Sequence, residues 1–403
     1  MKNKFIILLF LLFTNYLAQD WSTAPEIWSE PILVDSVFNI PYHWLESPAL
    51  TKNLDTLYFF DSRVYMSHKI GDEWTEPLKL TDNINGFTSM RGCSLSRDGK
   101  RLYFSAFGEG GYGGWDIWYS DWDANLSDWS PAKNMGPGIN TASYDLYLFE
   151  QTPDTVYVVR NSNLFYHVFD HDSSKWILKD AYTYHPLGAT EIHGISMPAN
   201  NKKLYFDHRP SNHEQGLDLC VMYWDSTTNY WSNTLYYLNI NTKTVAWHNT
   251  TKRGGEYYPW ISSKGRTMFF SSNRNVSLDP DSNDDSANLF VSFMLVDENG
   301  DTVTTVKNED KGKQIDFYLH QNYPNPFNPI TKISYSLTKT SLVKLFIYDA
   351  IGKKVTNLSF GEKQPGRYEY IFNSQKYNMA SGVYYYQLIV GSDYTVKKMI
   401  LTK

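Results

Sequence analysis

Glu46, Arg91, Asp145, His193 and Tyr257 occupy one and the same position of a unit that recurs along this 403-residue chain, and Glu191 and Glu256 stand beside two of them. Carboxylates such as Glu46, Asp145, Glu191 and Glu256, gathered around one opening, would be able to divide acid and base roles. Glycosidic bond hydrolysis needs that arrangement, with carboxyl groups roughly 5–9.5 Å apart. The same groups, with Arg91, His193 and Tyr257, serve equally to hold a polar ligand without reacting with it, or simply to keep an opening wetted. Aromatic side chains plugging that opening would argue against hydrolysis.

Other chemistries find no support. The chain has no His-Glu-x-x-His, Walker loop, dinucleotide fingerprint or Cys-x-x-Cys. Gly194-Ile195-Ser196-Met197-Pro198 lacks the second glycine of a nucleophile elbow and falls in a strand pattern. Gly108 to Gly114 precedes a strand, so no helix dipole is available there for phosphate. Asp279, Asp281 and Asn283 offer alternating oxygen ligands that would suit calcium, but the EF-hand glycine and terminal glutamate are missing. No cofactor is expected.

The elements that must position these residues are repeated hairpins. When Pro48, Cys93, Tyr147, Ile195 and Pro259 are set level, the column two residues on reads Leu50, Leu95, Phe149, Met197 and Ile261. Nine residues on come Leu57, Leu102, Val156, Leu204 and Met268, followed by Tyr58, Tyr103, Tyr157, Tyr205 and Phe269. Turn formers such as Asp98-Gly99 and Lys264-Gly265 lie between the two apolar clusters. A third strand follows each hairpin, and Trp74, Trp129, Trp176 and Trp231 announce a fourth. Four strands per unit, recurring at such intervals, predict a β-propeller with five blades. The last unit lacks its own fourth strand, and Trp28-Ser29-Glu30-Pro31 matches Trp74-Thr75-Glu76-Pro77, so the N-terminal strand is expected to complete it. Asn39, Asn85 and Asn140 each follow such a Trp by eleven residues. The polar ring would then lie on the same face as the insertions Phe107–Gly114, Arg209–Gly216 and Asn273–Ser286. The Asp98-Gly99 turn would lie on the opposite one.

Ser96-Arg97-Asp98-Gly99-Lys100-Arg101-Leu102-Tyr103-Phe104, with the following Asp116-Ile117-Trp118-Tyr119, resembles the repeats of the TolB-type, WD40-like (PD40) propeller family. The resemblance implies a binding scaffold. The family also occurs as an accessory domain on peptidases, whose catalytic domain has no counterpart here.

Residues 297–314 are polar and read as a linker. About seven short strand patterns follow in 315–403, predicting a small Ig-like β-sandwich. This stretch resembles the type A sorting domain of the Por, or type IX, secretion system. The matching residues are Asn322, Pro324, Asn325, Pro326, Phe327, Asn328 and Pro329, then Gly382, Val383 and Tyr384, then Lys397 and Lys398. The resemblance implies a Bacteroidetes-type envelope, the type IX translocon and its sortase as partners, and a mature chain released or attached at the cell surface.

Lys2 and Lys4 before the apolar run Phe5 to Phe13 read as a secretory signal peptide over residues 1–18, too short to span a bilayer. Cys93 and Cys220 sit in apolar strand contexts and are expected as buried thiols rather than a disulfide. Charge is divided: 315–403 holds 11 Lys and Arg against 5 Asp and Glu, whereas 19–314 holds 24 against 38. So acidic a region is a poor partner for nucleic acid or an anionic membrane. The organisation expected is thus signal 1–18, all-β propeller 19–296, linker 297–314 and sorting domain 315–403. The function expected is binding of a protein or glycan at the polar face, with a secreted glycoside hydrolase as the alternative.

Overall fold

The computed structural model describes residues 22–38, 43–70, 73–181, 191–209, 217–232, 234–241, 255–274, 287–303, 317–391 and 393–402. The chain is all-β. Among the described residues, five sheets with antiparallel central strands occupy the stretch from Ser22 to Val296, and two more follow it.

The aligned hairpins become the first two strands of each sheet. Their innermost strands are Glu46–Leu50, Ser89–Leu95, Asp145–Thr152, Ile195–Ser196 and Glu256–Ile261. Glu46–Leu50 lies between Ser89–Leu95 and Glu256–Ile261, and Asp145–Thr152 flanks Ser89–Leu95 on its other side. Both faces of the sheets are covered, so the aromatic columns are core: Tyr58, Tyr103, Tyr157, Tyr205 and Phe269 are all buried. Burying each such ring contributes about 1.5–3 kcal/mol. Two of the connecting turns use one device. The Ser96 hydroxyl accepts N–H bonds from Lys100 and Arg101, and the Ser262 hydroxyl does the same for Arg266 and Thr267.

The recurrent asparagines clamp the third strands. Asn85 accepts from the Val64 N–H and donates back to its carbonyl, and Asn140 treats Ile117 in the same way. Asn241 does so for Leu219. Asn39 lies outside the described residues, as do the signal segment and the acidic loop with Asp279, Asp281 and Asn283.

Ile27–Trp28 and Ile32–Leu33 pair with Asn288–Val296, the third strand of the fifth sheet. The chain just before them does something the repeats do not announce. Ser22–Thr23 pairs in parallel with Tyr236–Tyr237 of the fourth sheet, so the N-terminal segment straddles two sheets.

The C-terminal residues form a three-stranded sheet (Phe317–Leu319, Ile330–Leu337, Gly366–Asn373) and a four-stranded one (Lys354–Lys363, Ser341–Asp349, Gly382–Val390, Asp393–Leu401) around a shared core. This module is packed on the preceding sheets. Phe346, Tyr348, Tyr385, Tyr394 and Val396 join one apolar cluster with Trp28, Phe270, Phe290 and Met294. Glu30 donates its N–H to the Gly352 carbonyl at 2.7 Å, and Tyr394 donates its hydroxyl to the Arg266 carbonyl. A Cβ on Gly352 would stand 2.2 Å from the Trp28 carbonyl oxygen, so only glycine lets this turn approach. The first part of the expected linker takes part: Val303 is buried, bonded to Leu295 and Val396.

Cys93 and Cys220 are buried and unpaired. No helix among the described residues is long and apolar enough to cross a membrane.

Candidate functional site

Register fixes which end of each sheet carries the polar positions. Glu46 pairs with Phe60, which pairs with Val64; Arg91 with Ser105 and then Ile117; Asp145 with Arg160 and then Asn163; Glu256 with Ser272 and then Asn288. In each sheet, therefore, the start of the innermost strand and the loop joining strands two and three share one end.

A bulge follows the polar position in four of the sheets, at Glu46/Ala49, Arg91/Cys93, Asp145/Tyr147 and Tyr257/Trp260. The residue after the polar one is left-handed at Ser47 (φ 52°), Gly92 (φ 50°) and Tyr258 (φ 49°). Bulges re-aim neighbouring side chains. Left-handed Ser and Tyr persist only where the surroundings hold them, at a cost of about 1–3 kcal/mol each.

For Tyr258 the holder is Asp207. This fully buried carboxylate accepts N–H bonds from His193 (2.5 Å), Gly194 (3.2 Å) and Tyr258 (2.8 Å), joining the strand entrances of the fourth and fifth sheets. Gly194 is required here, since a Cβ would lie 2.7 Å from the Tyr258 ring. Sequence reasoning missed Asp207. Its signal was an acid in a column otherwise Phe60, Ser105, Val159 and Ser271.

The expected site residues divide into two sets. Asp145 is sealed: Arg160 and Thr141 take its oxygens, and none of it is exposed. Glu256 is sealed too, by Ser272 and Arg274 at 3.1 and 3.0 Å. Glu46, Arg91, Glu191 and His193 stay partly open and converge with Tyr257. His193 Nε2 is 3.3 Å from Glu191 and its ring 6.1 Å from that of Tyr257, while Arg209 pairs with Glu191 at 2.7 Å. Tyr147 and Tyr258, both buried, lie next to them with ring centroids 5.8 Å apart and planes tilted by 47°, and the Tyr258 ring is 5.8 Å from that of His193.

Burial pushes the Glu46 carboxyl up to about 7, against the opposing pull of His193, Arg91 and a hydrogen bond with Trp44, with Asp207 adding to the rise. Burial alone would lower His193, but the carboxylates of Glu191, Asp207 and Glu46 outweigh it and its titration moves upward. Asp218, at the same end of the fourth sheet, is also raised to about 7, by burial and then by Glu256.

A stability prediction follows for Glu46. Between pH 4.5 and about 7 the folded state keeps a proton that the unfolded chain has released, so this group's contribution falls as pH rises through that window. Glu46→Gln stays neutral throughout. Denaturant unfolding should show the variant gaining on the parent by about 1–2 kcal/mol from pH 5 to pH 8, after allowance for solvent access. Parallel pH curves would remove Glu46 from the account.

The residues that carried the sorting-domain resemblance are partly structural. Asn322 is buried, taking the Tyr386 hydroxyl with its N–H and Thr331 with its side chain. Asn325 accepts the Ile400 N–H, Phe327 is buried against Phe372, and the Pro329 carbonyl accepts from Ser374. Tyr384 donates to the Ala380 carbonyl, and Val383 is half-buried against the shared cluster. The Lys398 carbonyl receives Gln321. Pro324, Pro326, Asn328, Gly382 and the Lys398 side chain are exposed, as is Tyr323 at 78%, with Lys397 half-buried.

The described residues are an all-β array of sheets with polar side chains gathered around His193, and comparison with known proteins adds to this. Residues 321–402 match the family described as the secretion system C-terminal sorting domain. No curated protein matches the chain. Among solved structures, TolB from Acinetobacter baumannii is similar at 15% identity and a TM-score of 0.32, covering 62% of this chain and 54% of TolB, so the chain spans about half of that protein. An arabinoxylan arabinofuranohydrolase of glycoside hydrolase family 43 from Bacillus subtilis is similar at 12% identity and a TM-score of 0.39, covering 94% of this chain and 98% of that one. A Bacteroides ovatus xyloglucan-locus protein, GH43B, aligns at 9% identity and 0.41, covering 94% and 91%.

Proposed function

We propose that this chain is an exported binding protein: a five-bladed TolB-like propeller over 19–296, closed by its N-terminal strand and carried by an Ig-like type IX sorting module over 315–403. Cleavage of a signal over 1–18 starts the route. The translocon and sortase then act on the module, leaving the protein released or surface-attached. Its ligand, a protein or glycan, sits at the recess of Glu46, Arg91, Glu191, His193 and Tyr257.

The observation that carries this reading is the division among the carboxylates. Of the four that hydrolysis would draw on, Asp145 and Glu256 are locked in buried ion pairs. Rigid, partly open, mutually paired groups suit recognition. Glu46, raised to about 7, and the half-open Glu191, both acting on His193, keep the hydrolase as second reading.

The test is a broad glycan and peptide panel assayed for both turnover and binding. Binding without turnover, abolished by Arg91→Ala, is the result expected. Turnover that Glu46→Gln or Glu191→Gln abolishes would replace the binding reading by hydrolysis.

A further inference from the structure

The repeat aromatics are core, yet a second set of rings stands outside the strand alternation, on the recess side. Trp44 is 36% exposed and lies 6.0 Å from Tyr257. Tyr144 is 58% exposed and lies 6.1 Å from the half-buried Trp115. The Arg91 guanidinium lies 4.8 Å over the Trp115 ring. With Glu46 in the field of Arg91 and His193 and two residues from Trp44, the ring pairs and polar groups line up as a belt: Tyr144, Trp115 and Arg91, then Glu46, Trp44, Tyr257 and His193.

The rings are held in place. Gly114 leaves room for Tyr144, since a Cβ there would meet its ring at 2.4 Å. Trp44 is tied to Ala287 by a parallel bridge. Flat apolar faces fixed beside polar groups match a ligand with apolar faces and hydroxylated edges. The polar groups of the belt carry both signs: Glu46 with Arg91, and Glu191 with His193 and Arg209. Such near-cancelling sets bond hydroxyls as donors and acceptors without favouring either charge. Residues 19–314, with 24 basic against 38 acidic residues, would repel a polyanion.

We propose that the ligand of this face is a neutral oligosaccharide, stacked on Trp44, Trp115 and Tyr144 and hydrogen-bonded through Glu46, Arg91, Glu191 and His193. The inference rests on the recess reading above and narrows its ligand class.

The test is titration calorimetry of the full chain from Gln19 with neutral tetrasaccharides (xylo-, manno- and laminari-tetraose) and with tetragalacturonate, alongside an immobilised peptide library. At least one neutral probe should bind, with little dependence on salt, and tetragalacturonate should bind at least tenfold more weakly. Trp44→Ala and Tyr144→Ala should each weaken binding about tenfold. Both side chains are open to solvent, and an unchanged melting curve checks that the variants fold. Preference for tetragalacturonate, or neutral binding that ignores both variants, overturns the inference. Peptide binding lost in Arg91→Ala, with no sugar bound, overturns it while leaving the recess reading standing. Ligand binding of any kind that survives both Arg91→Ala and Glu46→Gln overturns both.

Discussion

Replacing Glu26 with alanine is expected to cost about 3–5 kcal/mol of folding free energy and to free the N-terminal strand. Glu26 is fully buried, and its carboxylate accepts from Trp28 Nε1 (2.9 Å), the Tyr205 hydroxyl (2.9 Å) and Lys203 Nζ (2.8 Å). Lys203 in turn reaches Glu298 at 2.6 Å. One acid thus ties the N-terminal strand to the fourth sheet and to the hairpin after the fifth. Without it, Lys203 keeps a single, more exposed partner, and the Trp28 and Tyr205 donors are left without their buried acceptor. Urea unfolding and hydrogen exchange at Ile27 and Trp28 measure both effects. A loss below about 1 kcal/mol, with exchange unchanged, would show that apolar packing of Trp28 alone holds the strand.

Asp207→Ala is the second large effect, at about 3 kcal/mol or more, because two buried N–H groups and a part-buried one lose their acceptor together. Tyr258 would also lose the contact that holds it at φ 49°. The gentler Asp207→Asn separates positioning from stability. It removes a charge that helps raise His193, so the imidazole should titrate lower by NMR while the fold survives. An unmoved His193 would mean that Glu191 and Glu46 govern it without Asp207.

The sheets were readable because a period of two, with an aromatic in one column, admits little but a hairpin, and a Trp marks each fourth strand. The asparagines showed as a recurrence, but their task, a two-bond clamp on Val64 or Ile117, needs strands far apart in sequence. Asn241 does the same work ten residues after Trp231 and so broke the pattern. Docking of the C-terminal module has a trace in the sequence. Ser341–Asp349 is apolar on both faces, with Val343, Leu345 and Ile347 in the module's own core and Phe346 and Tyr348 against the preceding sheets. Of the recess, the strand-entrance positions were visible. That Asp145 and Glu256 would be locked while Glu46 and His193 stay open was not, because Arg160 and Arg274 come from other strand ends and nothing in the aligned columns announces them.

The most direct test of the recess as ligand face is a hydrogen-exchange footprint of the full chain from Gln19, with and without a saturating ligand from the panels above. Protection should gather at Trp44 to Glu46, Arg91, Trp115, Glu191 to Gly194 and Tyr257. Protection confined to the opposite turns, at Asp98-Gly99 and Lys264-Gly265, or to the module after Phe317, would contradict the account.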